Sequence, residues 1–234
     1  MKLNDITFSS EMDVELVDHM GSDKSVIRAA KVSTLSDQNE TTDKYRFIKF
    51  LMHGRHMSPF EHCVATFRID APIFVWREFM RHRTFSFNEQ SGRYTEMRPK
   101  FYTPGDLRPL VQTGKAGEYT FTEGSDDQKD VTQLYISDVS ISAWHCYRGL
   151  LDNGVAKEVA RMVLPVNIYS TAYVTGKLRN WLQFLSLRTR QRNAMFPSYP
   201  QREIEMVADQ IEDRLWELYP ETTAAWHHEG RVGL

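Results

Sequence analysis

Cys63, Ala65, Phe67 and Ile69 recur at every second position of residues 62–70, and Pro72 follows at once, ahead of Ile73, Phe74, Trp76, Phe79 and Met80. Alternation with a period of two marks a half-buried strand, and proline suits the first turn of a helix because the N–H it lacks has no helical partner there. A strand passed directly to a helix mixes the two element types, and it places the start of an arginine-rich run at that helix's C-terminal end.

The same alternation of element types continues along the chain. Residues 14–19 read as a short strand, and Ser22 or Asp23 caps a helix through Val26, Ile27, Ala30 and Val32. A helix over 45–52 stops at Gly54, followed by a loop over 54–59. Residues 168–175 are rich in β-branched and aromatic side chains and predict a strand, and 179–187 return to helical spacing with Arg188 at the end. Helices are further expected over 131–151, ended by Asn153-Gly154, and over 155–164, stopped at Pro165 with Arg161 near its end. A final amphipathic helix over 202–218 carries Ile204, Val207, Ile211, Leu215 and Leu218 on one stripe. Residues 104–130, with the acids Glu118, Glu123, Asp126, Asp127 and Asp130, read as an exposed insertion without chemistry. No repeat or linker divides the chain, so one domain spanning 1–234 is expected.

Charge narrows the function. With 29 Lys and Arg against 31 Asp and Glu, the chain lacks the basic field that a general nucleic-acid binder needs. Anion binding must be local, and two basic islands exist: residues 77–98 hold five Arg against three Glu, and 185–203 hold four Arg against one Glu. Cys63 and Cys146 are far apart, which suggests reduced thiols rather than a disulfide framework. The opening Met1-Lys2-Leu3-Asn4-Asp5 has no apolar signal core, and no stretch is apolar enough to span a bilayer. A soluble cytoplasmic protein, binding neither membrane nor nucleic acid, is expected.

The run from Arg81 to Tyr94 gathers Arg81, His82, Arg83, Asn88, Glu89, Ser91, Gly92 and Arg93. Its position at the end of the predicted 73–80 helix gives a macrodipole reason for Arg81 and His82 but none for Arg93. Guanidinium forks match phosphate oxygens, and Ser91-Gly92 adds a hydroxyl and an amide that a ligand can approach closely. Arg161, Arg179 and Arg188 recur at the ends of predicted elements, where binding groups are commonly presented. Other chemistries fit less well. The scattered glycines form no phosphate loop, and His53, His56, Glu61 and His62 lack the spacing of a helical zinc motif. Ser91 as a nucleophile needs an oriented base that the sequence does not supply. His227 and His228 read as exposed and inert.

Arg81-His82-Arg83, followed after seven residues by Ser91, with Asn88, Glu89 and Arg93 in the window, resembles the signature of the flavin-dependent thymidylate synthases. His56-Met57-Ser58-Pro59-Phe60-Glu61-His62, the segment from Ala71 to Val75, the segment from Glu158 to Pro165 and Phe184-Leu185-Ser186-Leu187-Arg188 look like further family segments in the family's order. The resemblance implies an α+β fold, a single domain with a small, mostly antiparallel sheet packed by several helices. It implies reductive methylation of dUMP to dTMP, with methylenetetrahydrofolate as carbon donor, FAD carrying the hydride, NADPH reducing the flavin, and no enzymatic nucleophile. FAD contacts would fall to His56, Ser58, Glu61, Arg81, His82, Arg83, Asn88, Arg179 and Gln183. Substrate contacts would fall to Glu78, Arg81, Glu89, Ser91, Gly92, Arg93, Arg161 and Arg188, of which Ser91, Arg93 and Arg188 would take part in catalysis. No metal is implied. The family pattern also implies a homotetramer with shared active sites. Three residues depart from it: Glu78 stands where many relatives have glutamine, and Lys177 and Gln183 stand where asparagines are common. The segment 189–200 is an insertion in which a family histidine has no sure counterpart, leaving Arg190 or Arg192 to take its place.

Overall fold

The computed structural model describes residues 6–34, 43–115 and 119–233, so Glu118 and the N-terminal five residues read above lie outside it. In chain order the strands are β1 (Thr7–Ser9), β2 (Asp13–Met20), β3 (Val64–Pro72), β4 (Ser86–Glu89), β5 (Lys100–Tyr102), β6 (Val111–Thr113), β7 (Thr120–Thr122) and β8 (Tyr169–Lys177). The helices are α1 (Asp23–Lys31), α2 (Lys44–His53), α3 (Ile73–Phe79), α4 (Asp126–Asp152), α5 (Lys157–Ala160), α6 (Leu178–Arg188), α7 (Arg202–Leu218) and α8 (Pro220–His228). The α+β class is as expected, with a four-stranded sheet in the order β2-β3-β8-β4. Two small pairs accompany it, β1 with β5 in parallel and β6 with β7 antiparallel.

Two strands run straight into helices. Pro72 closes β3 with φ −69° and ψ 154°, and α3 begins at the next residue, so proline stands one place before the first turn and not inside it. Cys63, Ala65, Phe67 and Ile69 are all buried, as their alternation requires. At the second hand-over, Lys177 ends β8 and α6 begins at Leu178, whose N–H donates to the Cys63 carbonyl at 2.8 Å.

Contacts gather the described residues into two compact units, one within 6–13, 70–81 and 88–172 and the other within 14–69, 82–87 and 173–233. The first has a core of Met97, Phe101, Trp144, Tyr147, Ala160 and Ile168, in which the Phe101 and Trp144 rings meet edge to face at 6.3 Å. The second buries Val26, Ile48, Phe67, Trp181 and the α7 stripe Ile204, Val207, Ile211 and Leu215, with Leu218 only half-buried at its end. Each such large side chain contributes about 1.5–3 kcal/mol when fully buried.

Some boundaries differ from the sequence reading. α4 begins at Asp126, five residues early, because Ser125 caps it: the Gln128 N–H donates to Ser125 Oγ at 3.2 Å and the Ser125 N–H to Gln128 Oε1 at 2.9 Å. Asp126, Asp127 and Asp130 therefore belong to a helix whose N-terminus favours them, and the rest of the expected insertion contains the β6–β7 hairpin. The expected loop at 54–59 runs into a 3₁₀ turn over Ser58–His62, and the expected 155–164 helix is the short α5 followed by a 3₁₀ turn over Arg161–Val163. β4 was hidden by the arginine-rich composition around it. The 202–218 helix is not the last, since α8 follows with Pro220 in its first turn.

Candidate active site

Five residues of the arginine-rich run fall in the first unit at the end of β4 and in the turn beyond it. Glu89 is the last residue of β4, and Ser170 on β8 donates its hydroxyl to Glu89 Oε1 at 2.6 Å while the Gln90 N–H bonds the Thr171 carbonyl at 2.8 Å. Ser91 then starts a turn: its carbonyl accepts from the N–H groups of Tyr94 and Thr95, and its hydroxyl accepts from the Arg93 N–H at 3.3 Å. Gly92 is buried in this turn, and a Cβ there would lie 3.1 Å from the Arg161 side chain and 3.0 Å from Met97 Sδ. Its backbone is thus as close to an arginine as a side-chain-free residue allows.

α5 clasps the turn from one side. Lys157 Nζ donates to the Tyr94 carbonyl at 3.1 Å, Glu158 accepts from Arg93 Nε at 2.9 Å, and Arg161 follows at the start of the 3₁₀ turn. Behind Glu89, Asp70 is buried and receives Arg98 at 2.5 Å, Lys100 at 2.9 Å and Thr171 Oγ1 at 2.7 Å. Burial alone would raise the Asp70 carboxyl, but Lys100, Thr171 and Arg98 together hold it below the usual carboxylate range. Glu78 on α3, Arg81 just beyond it and Asn88 on β4 also belong to this unit, with Arg81 and Asn88 exposed.

A second group lies in the other unit. Glu61, in the Ser58–His62 turn, receives Lys177 Nζ and Arg179 Nη1, each at 2.7 Å. The two cations come from the junction of β8 and α6, which the Leu178 to Cys63 bond fixes against the end of that turn. Hydrogen bonds first from Lys177 and then from Arg179 lower the Glu61 carboxyl below its ordinary range. His56 and Ser58 are exposed at the start of this segment, and the His56 ring lies 5.9 Å from that of Phe50.

His82 and Arg188 meet in the same unit. Arg188 Nε, at the last position of α6, donates to His82 Nε2 at 3.0 Å. Accepting that bond requires the neutral imidazole, and burial together with the Arg188 charge pushes His82 down to about 4. The ring packs edge-on to Phe184 at 4.9 Å. Nearby, Phe85 is buried against Trp181 at 4.4 Å over Gly176, where a Cβ would come within 2.2 Å of the Phe85 ring, and Asn180 bonds the Thr84 carbonyl. These contacts pin residues 82–87 to α6, with Arg83 left exposed. Gln183 is half-buried one turn before Arg188.

One reading needs correction. His227 is not inert: its Nε2 lies 2.7 Å from Glu212 and 2.7 Å from Arg231 Nη1. His53 pairs with Glu229 at 2.9 Å, and among the described residues no cluster of His, Cys, Asp and Glu is arranged to hold a metal. Arg190 and Arg192 are both exposed, and the Arg190 N–H is bonded to Glu205. Ser170 and Thr171, which hold Glu89 and Gln90, and Asp70, which holds Thr171, carried no sequence signal beyond their place in strands.

Exposed arginines beside a glycine turn in one unit, and cations around a carboxylate in the other, are groups of the kind that suits anionic ligands, on an α+β fold. Residues 15–221 match the family described as thymidylate synthase complementing protein. The flavin-dependent thymidylate synthase of Tropheryma whipplei strain TW08/27 is 51% identical, over 97% of each chain, and that of Streptomyces avermitilis is 47% identical, over 97% of this chain and 95% of its own. A crystal structure of the UMP/dUMP methylase PolB from Streptomyces cacaoi bound with 5-Br UMP superposes with a TM-score of 0.92 at 44% identity, covering 98% of this chain and 99% of that one. The chain belongs to the flavin-dependent thymidylate synthase family.

Proposed function

We propose that this chain converts dUMP to dTMP by reductive methylation, with methylenetetrahydrofolate as carbon donor, FAD as the flavin and NADPH as its reductant, and without an enzymatic nucleophile. The observation that carries this reading is the turn at 91–95, in which backbone and side-chain bonds bring Ser91, Gly92 and Arg93 together and Arg161 packs against Gly92, with Arg93 held on Glu158. Arg93 and Arg161 are the phosphate donors, Gly92 lets the ligand approach the backbone, and Ser91 is a binding group. Glu89, oriented by Ser170, and Glu78 complete the dUMP contacts.

Arg188 takes the role of polarising the uracil ring, stabilising the negative charge that develops there. The neutral His82 holds its guanidinium through Nε, so the donor is oriented before substrate arrives.

A flavin dinucleotide would take Arg81, Arg83 and Arg179 for its phosphates and His56, Ser58, Glu61, His82, Asn88 and Gln183 as polar contacts, residue types whose chemistry suits it. When bound, FAD supplies the reducing electrons that convert the transferred carbon into a methyl group. Glu61 fixes the positions of Lys177 and Arg179, so Lys177 acts here as a partner of the carboxylate and not merely as a departure from a common asparagine.

A homotetramer with shared active sites is part of this reading, supported by a stripe along α4 that a contact between copies would cover. Leu134, Tyr135 and Val139 are 54%, 64% and 59% exposed, far more than a monomeric helix needs to leave uncovered. The cytoplasm suits the two free cysteines, and among the described residues no helix is long and apolar enough to cross a membrane.

The purified chain is expected to show a flavin absorbance spectrum, or gain one with FAD, and to release the C5 hydrogen of dUMP. A colourless protein that neither binds FAD nor exchanges that hydrogen overturns the proposal.

A further inference from the structure

The C-terminal residues beyond α8 reach two places on the last part of α6: the residue that follows Arg188, and Gln183. Arg231 is 5% exposed and holds a left-handed φ of 54°, a conformation a non-glycine residue keeps only when its surroundings compel it. Its guanidinium grips the Glu212 carboxylate with both Nη groups and stacks over the Trp226 ring at 4.3 Å. Its Nη2 also donates to Thr189 Oγ1 at 2.6 Å. Thr189 immediately follows Arg188, and its own hydroxyl and N–H both return to the Leu185 carbonyl, at 2.7 and 3.1 Å.

More bonds join the same segments. The Met195 N–H donates to the Gly230 carbonyl at 2.9 Å, Ser198 Oγ donates to the Thr189 carbonyl at 2.8 Å, and Trp226 Nε1 donates to the Val232 carbonyl at 3.0 Å. At Gly233 the backbone lies directly on the side-chain amide of Gln183: a Cβ there would stand 2.4 Å from Oε1 and 2.8 Å from Nε2. Thus one end of the tail reaches the residue next to Arg188, and the other covers Gln183.

We propose that residues 226–233 form a positioning element of the active site, in which Arg231 acts through Thr189 to fix Arg188 and the Gly233 backbone fixes the Gln183 amide. This rests on the assignment of Arg188 to dUMP and Gln183 to flavin made above. The α6 C-terminus ends without a glycine: the Thr189 hydroxyl returns to the Leu185 carbonyl, and the Thr189 backbone is already extended, with φ −117° and ψ 142°. The Arg231 bond holds that hydroxyl and the Ser198 bond holds the Thr189 carbonyl, so both restrain the residue next to Arg188. The tail is a positioning device, since none of its side chains is assigned to a reacting group.

Thr189→Val keeps the shape and deletes only the hydroxyl. It is expected to weaken dUMP binding about five- to ten-fold by equilibrium titration well below the melting temperature, with FAD affinity unchanged, and Thr189→Ser should restore it. Gly233→Ala should have the opposite selectivity, weakening FAD or shifting its absorbance bands with dUMP affinity retained. Arg231→Lys, which cannot hold Glu212 and Thr189 at once, should reproduce the Thr189→Val effect if the latter is poorly folded. Arg188→Ala is the control. If it leaves dUMP affinity intact, the assignment of Arg188 falls and this proposal with it. If Arg188→Ala weakens dUMP while Thr189→Val and Arg231→Lys change only the melting temperature, the tail is merely structural and the proposal alone is overturned.

Discussion

The turn at 91–95 and the end of α6 both present arginine, yet they hold it in opposite ways. At the turn, Arg93 has one carboxylate partner, Glu158, and both side chains are more than half exposed. At α6, Arg188 is tied to a neutral histidine, and the residue after it is tied to Arg231, itself buried on Glu212. An exposed ion pair is worth about 0–1 kcal/mol and yields readily to a ligand, whereas breaking a buried pair costs about 3–5 kcal/mol. The first arrangement suits a phosphate that must displace a partner to bind. The second suits a group whose direction must be set before the ligand arrives.

Stability measurements separate the two most sharply. Glu212→Ala strands the Arg231 charge in the interior and should cost about 3–5 kcal/mol in chemical denaturation, against no more than about 1 kcal/mol for Glu158→Ala. Comparable losses from both variants would mean that the two regions are not built differently.

Acid should find the α6 region first. His82 has its ordinary value of 6.5 in the unfolded chain and about 4 in the folded one, so the unfolded chain takes up the proton first. Stability should therefore fall as pH drops from about 6.5 to about 4, by on the order of 2–3 kcal/mol, and this group adds nothing below that. Burial would raise Glu212, but bonds from Arg231 and His227 bring it from 4.5 down to about 2, so its contribution is lost in the separate window between those values. His82→Gln should flatten the upper window alone. An unchanged profile between pH 6.5 and 4 would mean that His82 already carries its proton and does not accept the Arg188 bond.

At the nucleotide region the effects are smaller. Ser170→Ala removes the bond that turns Glu89 and should weaken dUMP by about 1 kcal/mol, close to five-fold, with FAD affinity untouched. Equal loss of both ligands would point to damage of the sheet and not to Glu89.

The difference between the regions also governs what was legible in the sequence. Arg93, Ser91 and Gly92 lie within three residues of each other, so their chemistry was visible as a local pattern, and the strand-to-helix step at Pro72 was visible because Cys63 to Ile69 alternate strictly. Arg231 and Thr189 are 42 residues apart, Ser170 and Glu89 are 81 apart, and only the folded sheet and helices bring each pair together. Composition hid more: Arg-rich surroundings masked β4, and the acids at 126–130 read as loop although the Ser125 and Gln128 box makes them the start of α4. His227 looked like tail because its partner Glu212 is on the preceding helix, with no spacing rule to connect them.

The smallest effect tests the turn most directly. If Glu158 only occupies Arg93 until a phosphate arrives, then Glu158→Gln weakens the competitor without emptying the space it fills. The substitution should tighten dUMP by about 0.2–1 kcal/mol, the worth of an exposed pair, and the gain should shrink as salt screens the wild-type bond. Weaker dUMP binding, read by titration at two salt concentrations, would reverse the role: Glu158 would then be holding Arg93 in place, and the turn would be preset in the same manner as the end of α6.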